Sequence, residues 1–382
     1  ILSLIDLKRP FDDVDIYKGK YISTVANKLK LKYRDLLLIH KDSLSGNKVY
    51  ESFLGSLKKD FNSYLVFRDT VIDIIINDYI KKDLEDLNVQ FSNWFHESEL
   101  IKDNFVYQIL EKIKSKGLSY VKDGAVWFKS TKYGDDKDRV LVRANSALTY
   151  FATDIAYHSL KLDKYDHIIN IWGSDHHGYV PRLTNALKGI GYDTDKMSIH
   201  LIQFANLYRD GEKMSMSTRS GEFITLKSLA DEIGPDAINF FYINKKIEQH
   251  LDFEINTALS KDKDNPVYYI QYAHARIEKI IQKVSTDNLN FDDRELIDPK
   301  EQELLRLLNS YVQTIEQAMD TLQPQLITNY LYKLSQSFHS YYANVKIIGE
   351  EINYSRVSLV MAVQKILKNG LNLFDISAPE DM

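Results

Sequence analysis

The chain has 382 residues, 44% of them hydrophobic and 27% charged, the ordinary balance of a soluble globular protein large enough for more than one core. It has no cysteine, which excludes disulfides and cysteine-ligated zinc, and it has no apolar run long enough to span a membrane as a helix. Its net charge is −5, and from residue 255 onward 13 Lys+Arg face 17 Asp+Glu, so bulk charge offers no support for nucleic-acid binding.

The opening stretch, ILSLIDLKRPFDDVD, lacks the basic start and small-residue cleavage site of a signal peptide. Residues 1–115 read as mostly helical, since KGKYISTVANKLKLKYRDLLL and SYLVFRDTVIDIIINDYIKKDLEDL space their apolar residues by three and four; NVQFSNWF then reads as a strand. DGAVWFKS and RVLVRAN alternate as half-buried strands do, with the charged turn TKYGDDKD between them. SALTYFATDIAYHSLKL reads as a short strand feeding a helix, and HIINIW as a buried parallel strand. PRLTNALKGIGYD continues as a helix with Pro181 in its first turn, and SIHLIQFANLY is a further strand candidate. This alternation predicts a doubly wound α/β sheet. After about residue 226 the pattern turns helical. LKSLADEIGPDAINFFYINK is amphipathic, the polar stretch LDFEINTALSKDKDNP marks a boundary, and Asn265 to Gly370 reads as a helical bundle whose first helix starts at Pro266.

Four constellations could carry chemistry. Gly173-Ser174-Asp175-His176-His177-Gly178 follows the apolar strand, at the end where open α/β sheets bind ligands. Its imidazoles suit a base or phosphate, Asp175, His176 and His177 are also metal-ligand types, and a plain turn is the third reading. Asp154, in Tyr150-Phe151-Ala152-Thr153-Asp154, is either a first-turn carboxylate at a strand-to-helix junction or a partner for a cationic substrate; a guanidinium, with its planar fork, fits the second reading. Lys213-Met214-Ser215-Met216-Ser217-Thr218-Arg219-Ser220-Gly221 is a solvated loop or a phosphate-binding one. Tyr268, Tyr269, Tyr272, Tyr341, Tyr342 and Tyr354 are core tyrosines at helical spacing or stacking platforms for unpaired RNA bases.

DGAVWFKSTKYGDDKDRVLVRANSALTYFATDIAYH, WGSDHHGYVPRLTNAL, MSTRSGEFITLKSLADEIGPDAINFF, LDFEINTALSKDKDNPVYYIQYAHARI and the ending LNLFDISAPEDM together resemble bacterial-type arginyl-tRNA synthetases, which are class I enzymes. The similarity runs from about residue 88 to 382, and YKGKYISTVANKL before it also looks familial. It implies an α/β plus all-α chain. A Rossmann-like class I catalytic domain, incomplete at its N-terminus, would occupy 1–254, with a mostly helical part over 1–115 and the second Rossmann half and signature loop over 116–254; a helical-bundle anticodon-binding domain would occupy 255–382. It implies ATP-dependent attachment of L-arginine to tRNA(Arg) through an arginyl-adenylate, with Mg²⁺ accompanying ATP, in a cytoplasmic monomer with no membrane association.

On this resemblance Tyr150, Asp154, Asp175 and His176 would bind arginine, with Asp154 on the guanidinium; Gly173, His177, Met216, Ser217 and Arg219 would bind ATP; and His176, His177, Lys213 and Arg219 would serve the chemistry. Tyr269, Tyr272, Tyr342 and Met382 fall where the family contacts the anticodon loop. The loop at 213–221 would be the Lys-Met-Ser-Lys signature, in one of two registers: Ser215 to Thr218 counting back from Gly221, or Lys213 to Met216 by matching letters. Its second lysine is absent in both. No His-Ile-Gly-His-type tetrapeptide occurs either. That signature and the family's N-terminal tRNA-binding domain are expected before Ile1, so the chain alone is expected to be inactive or nearly so. Two rivals are a non-catalytic RNA-binding protein with a degenerate synthetase fold and a metal hydrolase built on Asp175, His176 and His177.

Overall fold

The computed structural model describes residues 24–25, 27–29, 61–214, 224–284 and 291–382. The chain separates into two compact units, one of residues 91–206 with 245–251, the other of the described parts of 1–90, 207–244 and 252–382. Elements are numbered among the described residues. The second unit begins with α1 (Phe61–Ile75), which runs through a π-helical stretch (Ile76–Ile80) into α2 (Lys81–Glu85).

In the first unit, α3 (Glu97–Lys102) and α4 (Phe105–Ser115) precede an antiparallel sheet of β1 (Ser119–Lys122), β2 (Ala125–Phe128) and β3 (Arg139–Val142). Helix α4 buries Val106, Ile109 and Ile113, the three- and four-residue spacing that gives a helix one apolar face. Helix α5 (Tyr150–Lys164) starts where the Thr149 side chain accepts from the Ala152 N–H, and buries Phe151, Ile155 and Leu162. It is followed by β4 (Ile168–Gly173), a 3₁₀ turn (Ser174–Tyr179), α6 (Val180–Ile190) and β5 (Met197–Ile202). Strands β4 and β5 pair in parallel from Ile168↔Met197 to Gly173↔Ile202, so β4–α6–β5 is a βαβ unit. The core joins α4, α5 and α6 to the sheets through Phe128, Leu141, Leu183 and Leu187, all fully buried.

In the other unit, β6 (Ala205–Arg209), β7 (Glu212–Lys213) and β8 (Leu251–Glu254) form a sheet in the order β7–β6–β8, and the division between the units falls within β6 and β8. Helices α7 (Leu226–Ile233) and α8 (Pro235–Ile243) are separated by Gly234, at φ +82, and by Pro235, which has no N–H to continue the ladder. The short helix α9 (Ile255–Leu259) leads to the bundle: α10 (Pro266–Ile281), α11 (Pro299–Asn309), α12 (Tyr311–Thr321), α13 (Gln325–Asn344) and α14 (Tyr354–Asn372). Helix α10 starts as expected, with Asn265 as its cap and Pro266 in its first turn. Helices α13 and α14 come close at Gly370, where a Cβ would lie 2.5 Å from Leu331 Cδ2. The buried Glu301 closes the capping box of α11 and pairs with Arg356 at 2.8 Å, so its charge is not left bare in the core.

Several sequence expectations are corrected. NVQFSNWF is not a strand; its alternation is met by a turn and loop before α3. Residues 146–149, read as a short strand feeding α5, form only the isolated bridge Val142↔Leu148. SIHLIQFANLY is two strands, β5 and β6, broken at Gln203 and Phe204. The polar stretch near 251–265 holds β8 and α9 rather than loop alone, because Leu251, Phe253, Ile255 and Ala258 are buried.

Candidate active site

Asp154 lies in the second turn of α5, not at its cap; Thr149 holds that place. The first-turn reading of its carboxylate is therefore set aside. Asp154, Tyr157, His158 and Lys161 follow the i, i+3, i+4, i+7 rule, so they share one face of α5. That face, with Asn170, Trp172 and Gly173 of β4 and His176 and Tyr179 of the following turn, lines a cavity of about 360 Å³.

The Tyr179 hydroxyl donates to Asp154 Oδ2 at 2.7 Å. Burial pushes the Asp154 carboxyl above its ordinary range; the Tyr179 hydrogen bond opposes this, Glu97 adds to it, and His176 and Lys161 work against it. Burial and the carboxylate it serves raise the Tyr179 phenol, which stays a donor at any physiological pH. Tyr179 is itself braced: the Arg182 guanidinium sits 5.5 Å from its ring centre, and Arg182 Nε lies 3.4 Å from Asp135 Oδ2.

Next along the helix face, the buried His158 meets the Asp154 backbone carbonyl with Nδ1 at 2.8 Å. A carbonyl only accepts, so Nδ1 carries the proton and Nε2 is an acceptor with no donor within hydrogen-bond geometry among the described residues. Burial lowers the His158 pKa to about 4, and the ring is neutral at pH 7. Lys161 Nζ donates to Asn170 Oδ1 at 2.6 Å and lies 4.8 Å from the Tyr157 ring centre. Burial lowers its pKa as well, against the pull of Asp154. Trp172 stands edge-on to His158 at 5.9 Å and tilted to His176 at 6.4 Å and to Tyr179 at 5.9 Å. The cavity thus offers one half-buried carboxylate, flat aromatic walls and a cation set apart from the carboxylate by its own amide partner.

The structure brings together Asp154, Gly173 and His176 of the residues singled out from sequence. Asp175 and His177 are exposed in the 3₁₀ turn, and Asp175 Oδ2 comes within 3.8 Å of His176 Nε2. Tyr150, 80% exposed at the start of α5, lines a different cavity of about 560 Å³ with Glu97, Tyr107 and Arg143. Lys213 ends β7 in the other unit and is exposed. Met216, Ser217 and Arg219, and with them the register of the signature loop, lie outside the described residues. Among the described residues no group of three or more His, Cys, Asp or Glu is placed to hold a metal ion, so the metal-hydrolase reading has no donor set there. Sequence reading missed Tyr157, His158, Lys161, Asn170, Trp172 and Tyr179. The available signal was the run of polar or ring-bearing residues Asp154, Tyr157, His158 and Lys161 at i, i+3, i+4, i+7 along one face of α5.

The bundle holds a second concentration of the side chains singled out from sequence. Tyr269 lies 4.4 Å from the His339 ring and 5.5 Å from that of Tyr332. Arg276 has its guanidinium 4.4 Å from the Tyr272 ring centre and 4.8 Å from that of Tyr342, and donates to the Tyr272 hydroxyl at 2.7 Å. His339 donates from Nε2 to the Tyr269 carbonyl at 3.2 Å, so its Nδ1, 3.3 Å from Arg276 Nη1, is the acceptor. Tyr342 and Met382 are 41% and 39% exposed. Arg276, which the sequence reading passed over, is the guanidinium stacked on this aromatic face.

Residues 27–258 match the family model of class I tRNA synthetases (R), catalytic domain, and residues 270–382 match that of the DALR anticodon binding domain. The arginine–tRNA ligase of Vesicomyosocius okutanii is 41% identical over 381 residues, which cover 96% of this chain and 66% of that protein. That of Coxiella burnetii is 42% identical over 393 aligned positions, again covering 96% and 66%. The chain therefore spans just under two thirds of the length of these relatives. Among solved structures, one described as a putative arginyl-tRNA synthetase from Campylobacter jejuni superposes with a TM-score of 0.83 at 29% identity, covering 100% of this chain and 81% of that one. The Thermus thermophilus arginyl-tRNA synthetase, at 19% identity and TM-score 0.66 over 91% of this chain and 73% of its own, shares the fold. The matched catalytic-domain model takes in well over half of the chain, and the chain belongs to the class I arginyl-tRNA synthetases.

Proposed function

We propose that this chain is part of an enzyme that joins L-arginine to tRNA(Arg) in two steps. In the first, an oxygen of the arginine carboxylate attacks the α-phosphorus of ATP, the bond to the β-phosphate bridge breaks, and pyrophosphate leaves. In the second, a hydroxyl of the tRNA's terminal adenosine attacks the arginyl carbonyl carbon and AMP leaves. The observation that carries this reading is Asp154, a carboxylate turned into a ring-walled cavity with one oxygen held by Tyr179 and no cationic side chain bound to it among the described residues. A guanidinium fits it in charge, in planar fork and in its tendency to stack on aromatic rings. It also brings a positive charge to a half-buried carboxyl that burial holds raised.

The remaining roles follow from family membership. Tyr150, Asp175 and His176 serve arginine; Gly173, His177, Met216, Ser217 and Arg219 serve ATP; His176, His177, Lys213 and Arg219 serve transition-state charge. Mg²⁺ enters as the companion ion of ATP. We assign catalysis to 1–254 and anticodon contact to 255–382, with Tyr269, Tyr272, Tyr342 and Met382 on the contact face, in a cytoplasmic monomer. The test is ATP–pyrophosphate exchange by the protein at its natural length, with tRNA(Arg) present. Exchange should depend on arginine, and Asp154→Ala should raise the KM for arginine. Exchange driven equally by another amino acid would refute the assignment.

A further inference from the structure

The C-terminal tail is ordered without being buried. Beyond α14 the chain turns at Asp375, at φ +53, whose carbonyl accepts from Asn88 Nδ2 at 3.3 Å, and Ile376 is buried. Ser377, Glu380, Asp381 and Met382 are exposed. A terminal segment that buries so little apolar surface is disordered unless polar contacts fix it. Here three do. Asp236, in the first turn of α8, accepts from the Ser377 N–H at 3.1 Å through Oδ1 and from the Ser377 hydroxyl through Oδ2. The buried Gln271 donates from Nε2 both to Asp236 Oδ2, at 2.8 Å, and to the Ser377 carbonyl, at 3.0 Å. Further on, the buried His274 donates from Nδ1 to the Pro379 carbonyl at 2.9 Å, and Lys279 pairs with Asp381 at 2.7 Å.

The partners on α10 come in the same order as the tail residues they hold. From Gln271 to Lys279 the helix advances about 12 Å, at 1.5 Å per residue. From Ser377 to Asp381 an extended chain covers about 13 Å. The tail therefore runs extended along α10 and ends beside Lys279. Tyr272, Arg276 and Lys279 share one face of that helix by their spacing of four and three, so the tail carries Met382 to the face that holds the aromatic cluster.

We propose that Asp236 is a positioning residue for tRNA recognition, acting through Ser377 to hold the tail along α10 with Met382 at the aromatic face. The inference rests on the tRNA reading above. The physical gain is preorganisation: the entropy of ordering the tail is lost on folding, not on binding. Asp236 touches no RNA in this account. Its effect passes entirely through the tail.

The experiment measures tail protection and tRNA affinity on the same proteins: the chain itself, Asp236→Ala, Asp236→Asn, a chain ending at Ile376, and that shortened chain with Asp236→Ala. Release of Met382 by a carboxypeptidase should be slow in the parent and fast in Asp236→Ala. Affinity for tRNA(Arg), followed by fluorescence titration, should fall about tenfold in Asp236→Ala and in the shortened chain. Asp236→Asn, which keeps one acceptor oxygen, should fall between. In the shortened chain Asp236→Ala should add nothing. A further loss there would show that Asp236 acts on the fold of α8, not on the tail, and would overturn the proposal. So would unchanged tail release, or unchanged affinity with a freed tail. A parent chain that binds no tRNA(Arg) would instead refute the tRNA reading, and the carboxypeptidase result would still show whether Asp236 holds the tail.

Discussion

On the proposed function, the α5–β4 cavity and the α10–α13 face would solve recognition in opposite ways. The cavity is built on a half-buried carboxylate, a neutral histidine with a free acceptor among the described residues, and a lysine held by an amide. Its discrimination comes from charge taken out of water, where an unmatched ligand leaves a polar group unpaired. The bundle face is made of tyrosine rings around one guanidinium, with a histidine kept neutral by burial. Rings accept any base by its flat side, so this surface tolerates sequence and gains strength from contact area. Deep charge suits a small cationic substrate, and exposed aromatics suit a large, flexible one.

Mutations should separate the two regions by size of effect. Asp154→Ala removes the charge on which the cavity depends, and about 2–5 kcal/mol of arginine affinity should go with it, read as KM or by calorimetry. The loss should leave tRNA affinity in place. An equal loss of both would merge the two regions into one.

The pH dependence of folding probes the cavity alone. His158 has a folded pKa lowered to about 4 from 6.5, so the unfolded chain binds the proton first. Its contribution is full above pH 6.5 and is lost as pH falls from there through about 4, up to roughly 3 kcal/mol in all. Asp154, with a raised pKa, works in the opposite sense, because its folded form takes a proton before the unfolded chain does. Denaturant titrations between pH 7 and 4.5 should show a fall in stability that His158→Asn flattens. A parallel fall in both proteins would clear His158 of the effect.

Tyr179→Phe deletes one hydrogen bond to a charged group and should cost about 1.5–3 kcal/mol in arginine affinity, with the larger share appearing in KM. If kcat alone fell, the phenol would serve the reaction and not the carboxylate. Arg276→Ala should have the smallest effect, about 1 kcal/mol in tRNA(Arg) affinity, since it removes a cation stacked between rings near the surface. A change in arginine affinity there would contradict the division of labour.

Some of this was legible in the sequence, and the limit is physical. Helical periodicity and caps are local, so α4, α6 and α10 could be read from Val106, Ile109 and Ile113, from Pro181, and from Asn265-Pro266. NVQFSNWF misled because alternation over eight residues does not make a strand without a neighbouring strand to pair with. Asp154 was singled out as a carboxylate for a cation but placed at a helix junction that Thr149 occupies. Tyr179 and Trp172 were not legible, because their approach to Asp154 depends on how β4 and the following turn lie against α5. Asp236 and Ser377 lie 141 positions apart in the chain, and no spacing rule connects them.

The central claim is that Asp154 reads a positive guanidinium, and citrulline tests it most directly, since it has nearly the shape of arginine without the charge. Calorimetric titration of the protein at its natural length with L-arginine and L-citrulline should show arginine bound about a hundredfold tighter or more. In Asp154→Ala that preference should vanish. Equal binding of the two ligands by the parent protein, or a preference that survives Asp154→Ala, would contradict the account.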